Sequence, residues 1–133
     1  MDYTIKTIHS KQGLFDESVD ATYILHLVGN GRESSIYEQL EKTVPTKTIH
    51  VVYNPGYKSG KKGLEIDASY KDLTHANLWI FADALSKNYQ NVLILEDDFF
   101  FDQEIHDPSH IHNITQFLRL WTFSTPTLWG RHF

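Results

Sequence analysis

Three short apolar runs dominate the pattern of the chain, each closed by a turn or a polar break. They are Ala21–Gly29 (ATYILHLVG), Thr46–Asn54 (TKTIHVVYN) and Asn91–Glu96 (NVLILE). The first two are rich in β-branched and aromatic residues, and the third is a fully apolar run too short for an independent helix, so each predicts a strand. The first stops at glycine, the second at Asn54-Pro55-Gly56, the third at a row of acids. Between them the period changes from continuous to helical. SSIYEQLEK carries Ile36, Tyr37 and Leu40 on one helical face, with Ser34 or Ser35 placed to cap it. SYKDLTHANLWIFADALSKN, from Ser69, sets Leu73, Ala76, Trp79, Ile80, Ala84 and Leu85 on one stripe. Residues 1–19 have weak periodicity and predict a peripheral strand and a loop. After Asp102, a loop with Asp107-Pro108 leads into a helix predicted over Ser109–Trp121.

The order strand, helix, strand, helix, strand predicts an α/β fold with a mostly parallel sheet covered by helices on both faces. Strands apolar along their whole length, rather than alternating, agree with burial on two faces. NVLILE is expected to be a buried central strand, Val92–Leu95, with parallel neighbours near Tyr23–Leu27 and Ile49–Tyr53. There is no internal repeat and no low-complexity segment. The length, 133 residues, predicts one domain.

Composition narrows the chemistry. The formal net charge is −5, which argues against a wide nucleic-acid footprint. The absence of cysteine removes disulfides, thiolate nucleophiles and Cys-based zinc sites, and leaves carboxylate and histidine sites open. No apolar run approaches the roughly 20 residues of a membrane span, and Met1–Lys6 lacks the pattern of a signal peptide. The expectation is a soluble, cytoplasmic protein. Trp121, Phe123, Trp129 and Phe133 crowd the end of the sequence, which suggests a surface for a protein partner or a chain cut short.

The question of function concentrates in NVLILEDDFFFD. Three adjacent acids, Glu96, Asp97 and Asp98, stand between four aliphatic residues and three phenylalanines. Neighbouring carboxylates repel, and desolvating them costs several kcal/mol unless something compensates. Either water reaches them, as at a solvated strand end, or a hard divalent cation such as Mn²⁺ or Mg²⁺ does. Ligands of open parallel sheets bind beyond the carboxyl ends of the strands, where these acids fall. Two carboxylates and open coordination positions would let such an ion neutralise a leaving diphosphate.

Other signals are weaker. Gly56–Lys62 (GYKSGKK) has the composition of a phosphate-binding loop, but its glycine spacing is a residue short and no hydroxyl follows the lysine. It reads as a solvated loop, with Lys58, Lys61 or Lys62 closing over a sugar diphosphate as the functional alternative. His106, His110 and His112 in HDPSHIHN read as surface histidines before they read as metal ligands. Asn113-Ile114-Thr115 matches a glycosylation sequon that needs a secretory route to matter.

NVLILEDDFFFD, taken with SYKDLTHANLWIFADAL upstream, resembles glycosyltransferase family 25, the lipooligosaccharide and collagen type galactosyltransferases. That family pairs an aliphatic strand ending in LEDD with a preceding helix that opens on a Ser-His-like pair and carries an aromatic a turn later. Here Thr74-His75 and Trp79 hold those places, and YILHLVGNGRES resembles the family's first strand, with His26 where Asn is usual and Arg32 as the loop's arginine. The resemblance covers roughly Tyr23 to Asp102. It implies a GT-A-like, Rossmann-like fold, here an incomplete one, that binds a nucleotide sugar with Mn²⁺ (or Mg²⁺). Asp98 would be the first metal ligand, and Glu96 or Asp97 would reach ribose or a second metal position. On balance Glu96 and Asp98 fall to the metal, and Arg32, His75 and Asp97 to the donor. His75 would support the site without performing chemistry. The implied reaction is hexose transfer, galactose from UDP-galactose, to a glycan or protein hydroxyl, with no residue marked as the base. Two other classes stay open: an inactive nucleotide-sugar-binding module, and a metal-dependent phosphotransfer or hydrolase domain using the same acids.

Overall fold

The computed structural model describes residues 3–56 and 69–124. The chain divides into two compact units, Met1–Phe100 and Phe101–Phe133. The first holds strands β1 (Thr4–His9), β2 (Ala21–Leu27), β3 (Thr48–Asn54) and β4 (Val92–Glu96) with helices α1 (Glu33–Lys42) and α2 (Ser69–Ser86). The second holds a 3-10 turn at Gln103–His106 and helix α3 (Pro108–Ser124). In it Asp102 accepts from the Glu104 amide at 2.9 Å, and Asp107 accepts from the Ser109 amide and hydroxyl, each at 2.9 Å. Those bonds satisfy amides that open each helical turn, and Pro108 starts α3 where a missing N–H costs nothing.

The sheet order is β1-β3-β2-β4. β3, β2 and β4 run parallel, while β1 pairs antiparallel with β3, so the sheet is mixed. The α/β expectation holds in that form. β2 is the most buried strand, closed on six of its seven positions, because both its faces are covered. Tyr23 and Leu25 pack with Val52 of β3 and with Ala76, Ile80 and Ala84 of α2. Ile24 packs on the other face with Ile49, Val51 and the α1 residues Ile36 and Leu40. Alternation along the strands thus feeds two cores, and the two helices lie on opposite faces.

One expectation is corrected. Val92–Leu95 is not a buried central strand: among the described residues β4 pairs only with β2, at the edge, and its aliphatic residues are half-buried. Its apolar run does serve both cores, Val92 and Ile94 on the α2 side and Leu95 on the α1 side. An apolar run reports two covered faces, but it does not report which strands lie alongside. The α2 stripe is also displaced by one helical step. Ala76, Ile80 and Ala84 are buried as expected, yet Leu73 and Leu85 are exposed, and Asp72 and Asp83 turn inward.

The start of β4 is tied to the start of β2. Asp20 accepts from the amides of Gln90 and Asn91 at 2.7 and 3.0 Å, and its own amide donates to the Asn91 carbonyl at 2.8 Å. These bonds set the register that places Glu96 opposite Leu25. β2 leads through α1 to β3 on one side, and β3 leads through α2 back past β2 to β4. The crevice between the carboxyl ends of β2 and β4 is therefore the point where the order reverses.

Candidate functional site

At that crevice the polar side chains converge on Asp97, which is buried. Its Oδ2 accepts from His26 Nδ1 at 2.8 Å, from the Leu27 amide at 3.0 Å and from Asn30 Nδ2 at 2.7 Å. Its Oδ1 accepts from the Arg32 guanidinium at 3.3 Å. Burial alone would raise the Asp97 pKa. The bonds from Asn30, His26, the Leu27 amide and Arg32 outweigh it and hold the carboxyl below its ordinary range. An ionised carboxylate only accepts, so His26 carries its proton on Nδ1. His26 is itself buried, next to last in the most enclosed strand, with its ring edge-on to Tyr53 at 5.5 Å.

The loop that supplies Leu27, Asn30 and Arg32 turns on Gly29 and Gly31, both with positive φ (88° and 81°). These conformations strain any residue with a Cβ. Asn30 Oδ1 accepts from the Arg32 amide at 3.0 Å, so α1 begins at Glu33 rather than at a serine cap. The expected cap by Ser34 or Ser35 is corrected: Arg32 holds the N-cap position, with no side-chain cap bond. Beside this cluster Tyr53 donates to Glu33 at 2.7 Å, and its hydroxyl lies 2.9 Å from that of Tyr37. Burial first, then these two partners, push the Tyr53 phenol well above its ordinary range, so it stays protonated.

Glu96 and Asp98 flank Asp97 and are exposed. Neither carboxylate takes a hydrogen bond from a described residue, in contrast to the saturated Asp97 between them. Arg32 has a side chain 53% exposed, so its guanidinium spans from the buried carboxylate into solvent. The structure thus brings Arg32 and Asp97 together and sets Glu96 and Asp98 at the same strand end. His75 lies elsewhere. Its Nδ1 is 2.7 Å from the Tyr3 hydroxyl, and its ring stacks on Tyr3 at the β1 margin, with β3 and β2 between it and β4. On that side Asn54 donates to the buried Asp72 at 2.8 Å, which ties the end of β3 to the first turn of α2.

His26 and Asn30 were not foreseen as site residues. The available signal was the histidine inside an otherwise apolar strand, since a buried ring nitrogen needs a partner. Lys58, Lys61 and Lys62 lie outside the described residues, as do Trp129, Phe133 and the side chains of Trp121 and Phe123. His106, His110 and His112 are exposed, and among the described residues no three His, Asp or Glu are grouped to hold a metal. No helix among the described residues is long and apolar enough to cross a membrane. No family model matches the chain, and no curated protein or solved structure matches it.

Proposed function

We propose that the protein is a GT-A-like glycosyltransferase domain that binds a nucleotide sugar at the carboxyl ends of β2 and β4. In this reading it transfers a hexose, galactose from UDP-galactose, to a glycan or protein hydroxyl. The observation that carries the proposal is the placement of free acids and a half-exposed arginine at the point where the sheet order reverses, the usual ligand crevice of such sheets. Glu96 and Asp98 suit Mn²⁺ or Mg²⁺, because both are open oxygen donors without a protein partner among the described residues. Two carboxylates leave coordination positions for phosphate oxygens and water. When bound, the ion would neutralise charge on a leaving diphosphate. Arg32 would face the diphosphate with its solvent-side donors, geometry that suits a planar fork. His75 would contribute by fixing the first turns of α2 against Tyr3.

Calorimetry with UDP, with and without Mn²⁺, tests this. Binding is expected to need the ion and to weaken at least about tenfold in Asp98→Asn, the scale of losing one charged contact worth about 1.4 kcal/mol or more. Asp107→Asn, which alters an exposed cap in α3, is expected to bind as the parent does. Metal-independent binding, or equal losses in both variants, would remove Glu96 and Asp98 as the ion site. Phosphate release from nucleotides with no preference for the sugar would instead mark a metal-dependent hydrolase built on the same acids.

A further inference from the structure

The loop after β2 has little to hold it. Leu27 through Ser35 are all exposed, and a Cβ built on Gly29 or Gly31 would meet nothing within 4 Å. Side-chain packing therefore does little to select one shape for residues 28–32, and two glycines widen the choice. Beyond the Val28 amide's bond to the Asn54 carbonyl at 2.9 Å and the Asn30 amide's bond to the Leu27 carbonyl at 3.3 Å, what holds the loop is a chain of hydrogen bonds to one buried side chain. Asp97 holds the Leu27 amide where the loop leaves β2, and it holds Asn30 Nδ2 at the loop's tip. Asn30 in turn holds the Arg32 amide, where α1 begins, and Asp97 Oδ1 takes the Arg32 guanidinium. His26 braces the same Oδ2 from the strand interior. Both oxygens are occupied from the protein side, by groups that reach 65 to 71 residues back along the chain.

We propose that Asp97 is a positioning residue, which locks the β2–α1 loop and presents Arg32 to the ligand, and that it touches neither ligand nor ion itself. The proposal rests on the nucleotide-sugar reading above and assigns the middle acid of the three a role unlike that of its neighbours. Glu96 and Asp98 face solvent, while Asp97 connects the strand end that bears them to the arginine. The division of labour follows from burial and engagement: Asp97 is buried, its Oδ2 already takes three donors, and an ion or ribose hydroxyl at Oδ1 would compete with Arg32.

The test uses the full chain, with UDP and Mn²⁺ as probes and amide hydrogen exchange as a second readout. Asp97→Asn keeps the shape and offers one acceptor in place of two. Asn30→Ala removes the middle link of the chain from an exposed position, so the fold stays intact. Both variants are expected to exchange the amides of residues 27–32 at least about tenfold faster, with β3 unchanged, and to bind UDP about tenfold more weakly. The direction is decisive for Asp97→Asn. Removing a negative charge beside an anionic ligand would by itself tighten binding, so weaker binding marks lost positioning. If the parent binds UDP and both variants bind it as well or better, the positioning role is overturned. If the parent binds no UDP, the nucleotide-sugar reading fails and exchange alone judges the lock. Parent-like exchange across residues 27–32 in both variants would then refute it.

Discussion

At the scale of single residues, buried hydrogen bonds have a direction, and direction decides which substitution hurts. Thr22 and Thr46 are both fully buried, their hydroxyls 2.7 Å apart, and Thr46 also donates to the Thr48 carbonyl at 2.8 Å. Since the Thr46 proton goes to Thr48, Thr22 is the donor between the pair. Thr46→Val therefore strands a buried donor and a carbonyl at once, whereas Thr22→Val removes one donor from an oxygen that still has its own bond to make. Thr46→Val is expected to cost about 2–4 kcal/mol and Thr22→Val about 1 kcal/mol, on the usual cost of unsatisfied buried groups. Urea denaturation of both variants measures the difference, and equal costs would contradict the assigned direction. Such pairs are hidden from sequence pattern because they join residues far apart with no periodic signature. The same holds for the Asp97 cluster. The acidic triplet is legible as unusual chemistry, whereas Arg32 is expected at the nucleotide and its bond to Asp97 is not. That Asp97 faces inward and its neighbours outward depends on contacts with His26 and Asn30, which spacing does not encode.

At the scale of elements, the apolar runs and helical periods locate β2, β3, β4 and the three α-helices to within a few positions, because burial writes those periods directly into composition; β1, with weak periodicity, and the 3-10 turn at Gln103–His106 are not bounded that way. Order and direction were less legible. β4 lies at an edge because α2 carries the chain back past β2, and β1 joins the other edge antiparallel to β3; neither fact leaves a mark on local periodicity. The inward polar positions of α2 have a purpose that the stripe did not announce. Asp83 accepts from the Tyr23 hydroxyl and from Lys87, each at 2.6 Å. Nearby, His50 is buried between the Thr7 hydroxyl at 2.8 Å and the Tyr89 hydroxyl at 2.9 Å. β1, β2, β3 and the end of α2 are thus joined through polar side chains within one core. Burial first, then Lys87 and His9, lower the His50 pKa against the opposing pull of Asp83. The folded protein consequently binds fewer protons here than the unfolded chain. Stability from this group is fully present above the unfolded value of about 6.5, and it falls as pH drops from there toward the lowered folded value. Asp83 is also lowered: its desolvation is outweighed by the Lys87 and Tyr23 bonds, so its contribution is lost only later, as pH falls through and below the carboxylate range. Denaturation midpoints taken between pH 8 and 5 are expected to decline below pH 6.5, by no more than about 1.4 kcal/mol per pH unit for one group. His50→Gln should flatten that decline, and a variant as steep as the parent would assign it to another histidine.

At the scale of the whole molecule, the described residues offer, on the proposed reading, more of what would hold a ligand than of what would react it. Glycosyl transfer needs the acceptor hydroxyl aligned with the anomeric carbon and a group within reach to take its proton, worth on the order of 10²-fold or more for that group alone. The ionisable groups at the carboxyl edge that have partners, three of them buried and Glu33 exposed, are already engaged. Asp97 has four donors, Glu33 holds Tyr53, Asp72 holds Asn54, and His26 is bonded to Asp97. Glu96 and Asp98 take no hydrogen bond from a described residue, but as ligands of the proposed ion they would lose their basicity. Binding of UDP-galactose with slow or undetectable transfer is therefore the expected behaviour of this 133-residue chain. A radiolabelled UDP-galactose assay across glycan and protein acceptors measures it directly. Turnover in the ordinary enzyme range, roughly 1 s⁻¹ or faster, would contradict it and would direct attention to His26. With its proton on Nδ1 and Asp97 behind it, the lone pair on His26 Nε2 is the one basic atom in the cluster that is oriented by a carboxylate, an arrangement that serves proton abstraction wherever substrate can reach it.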